Sequence, residues 1–341
     1  MKSLVYNGPR KLNVEEKSYP QKGPDDVIIK VKAVGICGSD VHGYLGVSGR
    51  RIPPMVMGHE FSGIVAETGT GVPNFKTGDR VVVNPLFACG HCGICKAGFE
   101  NVCPNKKFLG AMDMDGAMSE YVAVPGNRLL HLPENVSFVQ GAVVEPLAVA
   151  YRAAGRVNVT GKTVLVVGAG PIGLFIIKML KLQNPSKIIV SDLSDYRLGI
   201  AKKQGADCVI NPKDEDIKTR LRECTGCAQV DVSFEAVGAV PTVNQALNSL
   251  KNKGKCVFVG NAAKDITIDM QNIVVREIDI FGTYSCTEKE FSQTIQLLES
   301  GKVNPDFAVS RCITLEDAPL YFEKLAGEQG ELIKVVIVFN D

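Results

Sequence analysis

Tryptophan is absent from these 341 residues, and histidine occurs only four times, so each histidine can be weighed individually. Neither charge sign dominates: 38 Lys+Arg face 37 Asp+Glu, for a net charge of +1. That balance excludes the basic surface of a nucleic-acid binder and the charged face of a membrane-surface protein. No uninterrupted apolar stretch is long enough to span a bilayer, and the opening MKSLVYNGPRK lacks an apolar signal core. A cytoplasmic protein with no nucleic-acid or membrane partner is expected. In that setting eleven cysteines fit reduced thiols and metal ligands better than disulfides.

Four of those cysteines carry the most specific signal. Cys89, Cys92, Cys95 and Cys103 form C-x2-C-x2-C-x7-C in CGHCGICKAGFENVC. Thiolates are soft ligands, and four of them close a tetrahedral shell around Zn2+. Such a shell leaves no position for a substrate, so this ion is expected to be structural, in a lobe spanning about residues 88–104. His91 lies inside the loop but finds the shell already full. A second C-x2-C, Cys224 and Cys227, has no partners nearby in sequence and reads as coincidence.

The length favours two domains. Up to about residue 150, β-rich runs such as DDVIIKVKAVGI, EFSGIVAETG and DRVVVNP alternate with Gly/Pro turns, the texture of an irregular β domain. Beyond GRVNVTG the rhythm becomes strand then helix: TVLVVG and PIGLFIIKMLKL, KIIVSD and SDYRLGIAKKQG, VDVSFEAVG and PTVNQALNSL, then KCVFVG. Continuous apolar strands alternating with helices predict an α/β fold with a parallel, doubly wound sheet, here over about residues 151–286. The tail from about 287 holds two helical pieces and a last strand, LIKVVIVF, and is expected to rejoin the first domain.

GAGPIG supplies Gly168, Gly170 and Gly173 as G-x-G-x-x-G between a strand and a helix. The first glycine permits a tight turn, the second admits a pyrophosphate, and the third lets helix and strand pack closely. The helix N-terminus then offers unpaired N–H groups to the anion. Asp192 ends the next strand, nineteen residues after Gly173. A carboxylate there accepts from the adenosine ribose and repels a 2′-phosphate, favouring NAD over NADP. Asp192 can also cap the following helix, and Arg197 is placed to accommodate a 2′-phosphate instead.

Around the cysteine loop stand Cys37, Ser39 and His42 in CGSDVH, His59 and Glu60 in GHE, and Glu145 in VVEPLAVA. Each has a bland alternative: a core histidine, a turn hydroxyl, an acid at a helix start. Together a thiolate, an imidazole and one or two carboxylates make a zinc site that retains an open position, the mark of catalytic zinc. With these residues in view, the chain resembles the zinc-dependent medium-chain alcohol dehydrogenases, closest to their polyol and threonine dehydrogenase branch. GHEFSGIVAETGTGV (58–72) matches the family signature G-H-E-x2-G-x5-G-x2-V, and the cysteine lobe, GAGPIG and the domain order agree over essentially the full length.

The resemblance implies a GroES-like catalytic domain (1–150 with 287–341) and a Rossmann domain (151–286). It implies two zinc ions per chain, one structural and one catalytic, and NAD as cofactor. Cys37 and His59 resemble the catalytic zinc ligands, with Glu60 or Glu145 completing the set; Glu145 stands where the ethanol-oxidising branch has a cysteine. Ser39 and His42 resemble the proton relay. Ile172, Val259, Gly260, Asn261, Thr283, Tyr284 and Ser285 fall at cofactor positions. The implied reaction moves hydride from a secondary alcohol of a polyol or polyol phosphate, such as sorbitol or galactitol 1-phosphate, to NAD+, with Arg50 and Arg51 as a candidate phosphate clamp. L-Threonine and vicinal diols are alternative substrates, and a homodimer or homotetramer is implied. His131 reads as a strand-end residue. Two zincs per chain would fit a dehydrogenase, one a nucleotide-binding protein without turnover, and none a zinc-free quinone reductase of the superfamily.

Overall fold

The computed structural model describes residues 1–112, 114–327 and 331–340. The chain forms two compact units, Met1–Glu145 with Cys286–Asp341, and Pro146–Ser285. Among the described residues, no helix is long and apolar enough to cross a membrane.

One strand organises the first unit. Asp26–Gly35 (DVIIKVKAVG) is rich in β-branched residues and is buried along most of its length, as a strand covered by neighbours requires. Strand Glu60–Thr68 pairs antiparallel along one edge, with Gly35 opposite Glu60. The other edge is divided: Tyr121–Pro125 takes the start, and Lys334–Val338 takes the end, with Val336 opposite Gly35. Lys334–Val338 also pairs parallel with Val309–Ile313, so strands from beyond residue 300 complete the sheet that Asp26–Gly35 begins. Leu4, Val27, Ile29, Val31, Phe61, Phe322, Val335 and Ile337 join in its apolar core.

This register sets what lies beyond the strand. With Gly35 level with both Glu60 and Val336, Cys37 follows two residues later and Lys334 lies two residues before Val336. The backbone confirms the alignment past the sheet's end, since Ile36 N–H donates to Val335 O at 2.9 Å. Gly35 itself must lack a side chain, because a Cβ there would lie 2.4 Å from Glu60 Oε2.

The second unit is a six-stranded sheet with all its pairs parallel, in the order Cys208–Ile210, Lys187–Ser191, Thr163–Val167, Val230–Glu235, Leu250–Phe258, Asp279–Gly282. In chain order that is 3-2-1-4-5-6, the doubly wound arrangement whose reversal point flanks the first strand. Thr163–Val167 is apolar and almost wholly buried, as expected of a strand covered on both faces.

One expectation is corrected here. Cys224 has a partner: it is joined to Cys208 in a disulfide, with Cα atoms 6.2 Å apart, tying strand Cys208–Ile210 to helix Ile217–Thr225. The connection is made by packing of helix on strand across sixteen residues, which C-x2-C spacing does not reveal. Cys227 remains a free, exposed thiol.

Gly35→Ala forces a methyl group against an ion-paired carboxylate. The variant should lose about 1–3 kcal/mol of stability by overpacking, read as a lowered midpoint in chemical denaturation. An unchanged midpoint would mean that the contact at residue 35 constrains nothing.

Candidate active site

The cysteine loop is built around short local turns. Helix Gly93–Lys96 is capped by Cys92, whose sulfur accepts the Cys95 N–H at 3.5 Å. A 3-10 turn, Glu100–Val102, returns the chain to Cys103. The four sulfurs lie 3.5–3.9 Å apart in the pairs that contact one another. A tetrahedron with metal–sulfur bonds of about 2.3 Å places its sulfurs about 3.8 Å apart. The backbone N–H groups of Cys92 and His91 pull the Cys89 thiol down to about 6, while burial and the neighbouring thiols push Cys95 up to about 12. A dication bound among these sulfurs would displace their protons. His91 turns away, with Nδ1 2.8 Å from Cys89 O.

A second convergence forms at the end of the organising strand. Among the described residues, Cys37, His59 and Glu60 bring one ligand atom each within 4.8 Å of one another. His59 and Glu60 are almost fully buried, and Cys37 is half-buried. A thiolate, an imidazole and a carboxylate form a donor set suited to zinc with a vacant position. Glu145 is buried but stands outside this group. Burial pushes its carboxyl up to about 7, with His59 pulling it down and Glu60 pushing it up.

The Glu60 carboxylate does not wait alone for a metal. Lys334 Nζ donates to its two oxygens at 2.6 and 2.9 Å and to Ile36 O at 3.1 Å. Burial would lower the Lys334 ammonium, but Glu60 and Cys37 outweigh it and raise it. Glu60 thus has a fixed internal cation as well as a place among the metal donors.

Helix Gly38–Tyr44 carries the remaining candidates. Ser39 is exposed in its first turn and His42 half-buried in its last, and residues three apart lie on one side of a helix. Asp40, fully buried between them, accepts the Cys37 N–H on Oδ2 at 3.2 Å and holds Oδ1 3.6 Å from His59 Nδ1. Burial pushes the Asp40 carboxyl up, but the charges of His59 and Arg51 outweigh it and hold it well below the ordinary carboxylate range. Burial alone would lower the His59 imidazole; Asp40 and Cys37 raise it well above its ordinary value. Zinc binding requires the neutral ring, so a metal entering here displaces a proton.

Arg51 corrects the phosphate-clamp expectation. Its guanidinium is buried and bonded to Asp40 at 2.8 Å and to Ser39 Oγ at 3.1 Å. Only Arg50 of the pair is exposed. A side chain locked to an internal carboxylate does not present a second cation to a phosphate.

In the second unit the cofactor candidates gather at the carboxyl end of the parallel sheet. Gly168 adopts a left-handed φ of 97°, and a Cβ there would lie 2.5 Å from Val237 Cγ2. Gly173 packs so closely that its Cβ would lie 1.8 Å from Gly168 O. Gly170 caps helix Pro171–Lys181 and has open space beside it, and half-buried Ile172 follows in the first turn. Asp192 accepts Ala169 N–H at 2.7 Å and Ser194 N–H at 2.9 Å, which couples the second strand's end to the glycine loop. Half-buried Arg197 sits in the next helix, Asp195–Lys203. Val259 and Gly260 both donate to Glu235 O, at 2.9 and 3.0 Å, with exposed Asn261 next. Tyr284 is half-buried between Thr283 and Ser285, whose hydroxyl oxygens are buried without a hydrogen-bond partner. Buried polar atoms of this kind require a partner, and those at 283 and 285 fit a dinucleotide bound beyond the strand ends. The residues present therefore fit both zinc and a nicotinamide dinucleotide.

Comparison with known proteins agrees with this geometry. Residues 23–134 match the alcohol dehydrogenase GroES-like domain, and residues 171–300 match the zinc-binding dehydrogenase model. Sorbitol dehydrogenase of Bacillus subtilis is 34% identical over 100% of this chain and 98% of its own length. L-Idonate 5-dehydrogenase of Vitis vinifera is 36% identical over 96% of this chain and 92% of its own. An alcohol dehydrogenase of Escherichia coli CFT073, solved in complex with NADH, superposes with a TM-score of 0.92 at 32% identity, covering 99% of both chains. The chain belongs to the zinc-dependent medium-chain alcohol dehydrogenase family, in its polyol dehydrogenase branch.

Sequence reasoning missed Asp40 and Lys334, and it gave Arg51 a different role. The available signals were a lysine inside the apolar strand LIKVVIVF and a carboxylate three residues after Cys37. Lys334→Met leaves the Glu60 carboxylate buried without its cation, at a cost of about 3–5 kcal/mol. Unfolding of the metal-stripped variant should show that loss, and added zinc should restore part of it. A variant as stable as the parent would show that Glu60 does not depend on Lys334.

Proposed function

We propose that this chain oxidises a secondary alcohol of a polyol or related sugar alcohol to a ketone with NAD+, using one catalytic and one structural zinc. The observation that carries this is the convergence of Cys37, His59 and Glu60, with buried Glu145 in place of a second thiol. When bound, zinc supplies Lewis acidity at the substrate hydroxyl and the dinucleotide accepts the hydride.

The chain's own residues govern the proton and the orientation. Cys37 and His59 would hold the ion, with Glu60 shared between it and Lys334. Glu145, close to neutral-range titration through burial, is suited to accept a hydrogen bond from a substrate hydroxyl or to complete the ligand set. Ser39 takes the hydroxyl proton, and His42 is the next acceptor toward solvent. Asp192, half-buried at the strand end, supports NAD over NADP because a 2′-phosphate would meet its negative charge. The engagement of Arg51 favours an unphosphorylated polyol.

Self-association belongs to the same proposal. Strand Asp279–Gly282 ends its sheet, and helix Met270–Val275 exposes Met270, Val274 and Val275 at 63%, 61% and 67%, a set of apolar side chains suited to a second copy.

Polyols, polyol phosphates, vicinal diols and L-threonine, each offered with NAD+ and with NADP+, should give NADH fastest with an unphosphorylated polyol. Turnover only with NADP+, or only with phosphorylated substrates, would contradict the assignment. Ser39→Ala should lower turnover by about a hundredfold or more while zinc content stays the same; undiminished oxidation would remove Ser39 from the relay.

A further inference from the structure

Arg51 has no part in the mechanism above beyond its unavailability to phosphate, yet the fold makes room for it deliberately. Helix Gly38–Tyr44 carries Gly43 where the arginine stem passes, and a Cβ there would come within 2.2 Å of Arg51 Cγ. The side chain is 4% exposed, with one nitrogen, Nη2, donating to both Asp40 Oδ1 and Ser39 Oγ. The Asp40 carboxylate accepts the Cys37 N–H on Oδ2, while Oδ1, the oxygen that Arg51 holds, lies 3.6 Å from His59 Nδ1. A single cation therefore touches the exposed hydroxyl directly and both metal-ligand residues through one carboxylate.

We propose that Arg51 is a positioning residue that sets the direction of proton transfer through Ser39 and, through Asp40, the orientation of His59. The proposal rests on the functional reading above in that Ser39 relays the substrate proton. A serine hydroxyl has two acceptor lone pairs and one proton. With Arg51 occupying one lone pair, the other is left for the substrate hydroxyl, and the serine's own proton points elsewhere, ready to be passed on. Without that anchor the hydroxyl rotates freely and donates to the substrate as readily as it accepts. Asp40, tied to the Arg51 guanidinium, is held with Oδ1 3.6 Å from His59 Nδ1, a buried nitrogen with no hydrogen-bond partner, so its charge faces the imidazole from a fixed place. Partners that orient a metal-binding histidine are worth about 10–100-fold in metal affinity or activity. Lysine is a poor substitute, since a flexible ammonium is not held in a plane against two acceptors.

The test is a double-mutant cycle together with a zinc-release measurement on the zinc-loaded full chain. Arg51→Met should lower kcat by about 10–100-fold with KM little changed. In the Ser39→Ala background the same substitution should cost several-fold less than in the parent, because the share that acts through Ser39 is already lost while the share through Asp40 and His59 remains. Zinc transfer from the Cys37 site to a chromogenic chelator should be about tenfold faster in Arg51→Met, whether or not any substrate has been found. Arg51→Lys keeps the buried charge and should fold where methionine does not; it should retain zinc better than the methionine variant while its kcat stays low. Equal costs of Arg51→Met in both backgrounds, or zinc release at the parental rate from either arginine variant, would overturn the proposal. If the parent oxidises none of the alcohols, the functional reading fails, and zinc release alone still decides whether Arg51 holds Asp40 and His59.

Discussion

Pairing of strand Asp26–Gly35 with two others at a fixed register is the constraint on which the candidate site depends. Gly35 lies opposite Glu60 on one edge and opposite Val336 on the other. A one-residue slip on either side would turn the ligand-bearing side chains to the other face of the sheet. In the observed register, three segments far apart in sequence deliver a thiol, an imidazole with its neighbouring carboxylate, and a lysine to the same end of the sheet. The glycine is part of the device, because the space that its missing side chain would fill is occupied by the Glu60 carboxylate.

Charge then decides what this cluster is for. Arg51, Asp40, His59, Cys37, Glu60, Lys334 and Glu145 are linked by contacts or by electrostatic coupling, and most of them are nearly fully buried. Buried ion pairs are weak sources of stability because desolvation offsets their attraction. A chain that concentrates them around a thiol and an imidazole is holding donors in fixed positions, which is what a metal with one open position needs. Arg51 and Lys334 mark the two ends of the cluster, each fixing a carboxylate beside a ligand. The cysteine loop has the opposite design: only sulfur, short turns and backbone N–H groups, so that an ion there would be closed off from substrate.

What could be read from sequence was short in range. The cysteine loop, the glycine loop, GHE and CGSDVH each carry their chemistry within a few neighbouring residues, so spacing exposes them. The alternation of apolar strands and helices likewise gave the parallel sheet, because burial on both faces leaves a continuous apolar record. Lys334 escaped because its partner Glu60 is 274 residues away and an isolated lysine in a strand reads as an edge charge. The burial of Arg51, a candidate phosphate clamp by sequence, escaped because nothing local says that Gly43 opens a notch for its stem. The Cys208–Cys224 link escaped for the same reason, being made by helix packing and not by spacing. Glu145 was visible as a residue type out of place, but its standing outside the three converging donors needed coordinates.

The central claim is that Cys37 and His59 grip a metal ion distinct from the one in the cysteine loop. Anomalous diffraction at the zinc edge, from crystals of the protein as purified, tests it most directly. Two peaks are expected in each chain, one enclosed by Cys89, Cys92, Cys95 and Cys103 and one about 2.0–2.3 Å from Cys37 Sγ and a His59 ring nitrogen. A fully occupied peak in the cysteine loop with none at Cys37 and His59 would contradict it.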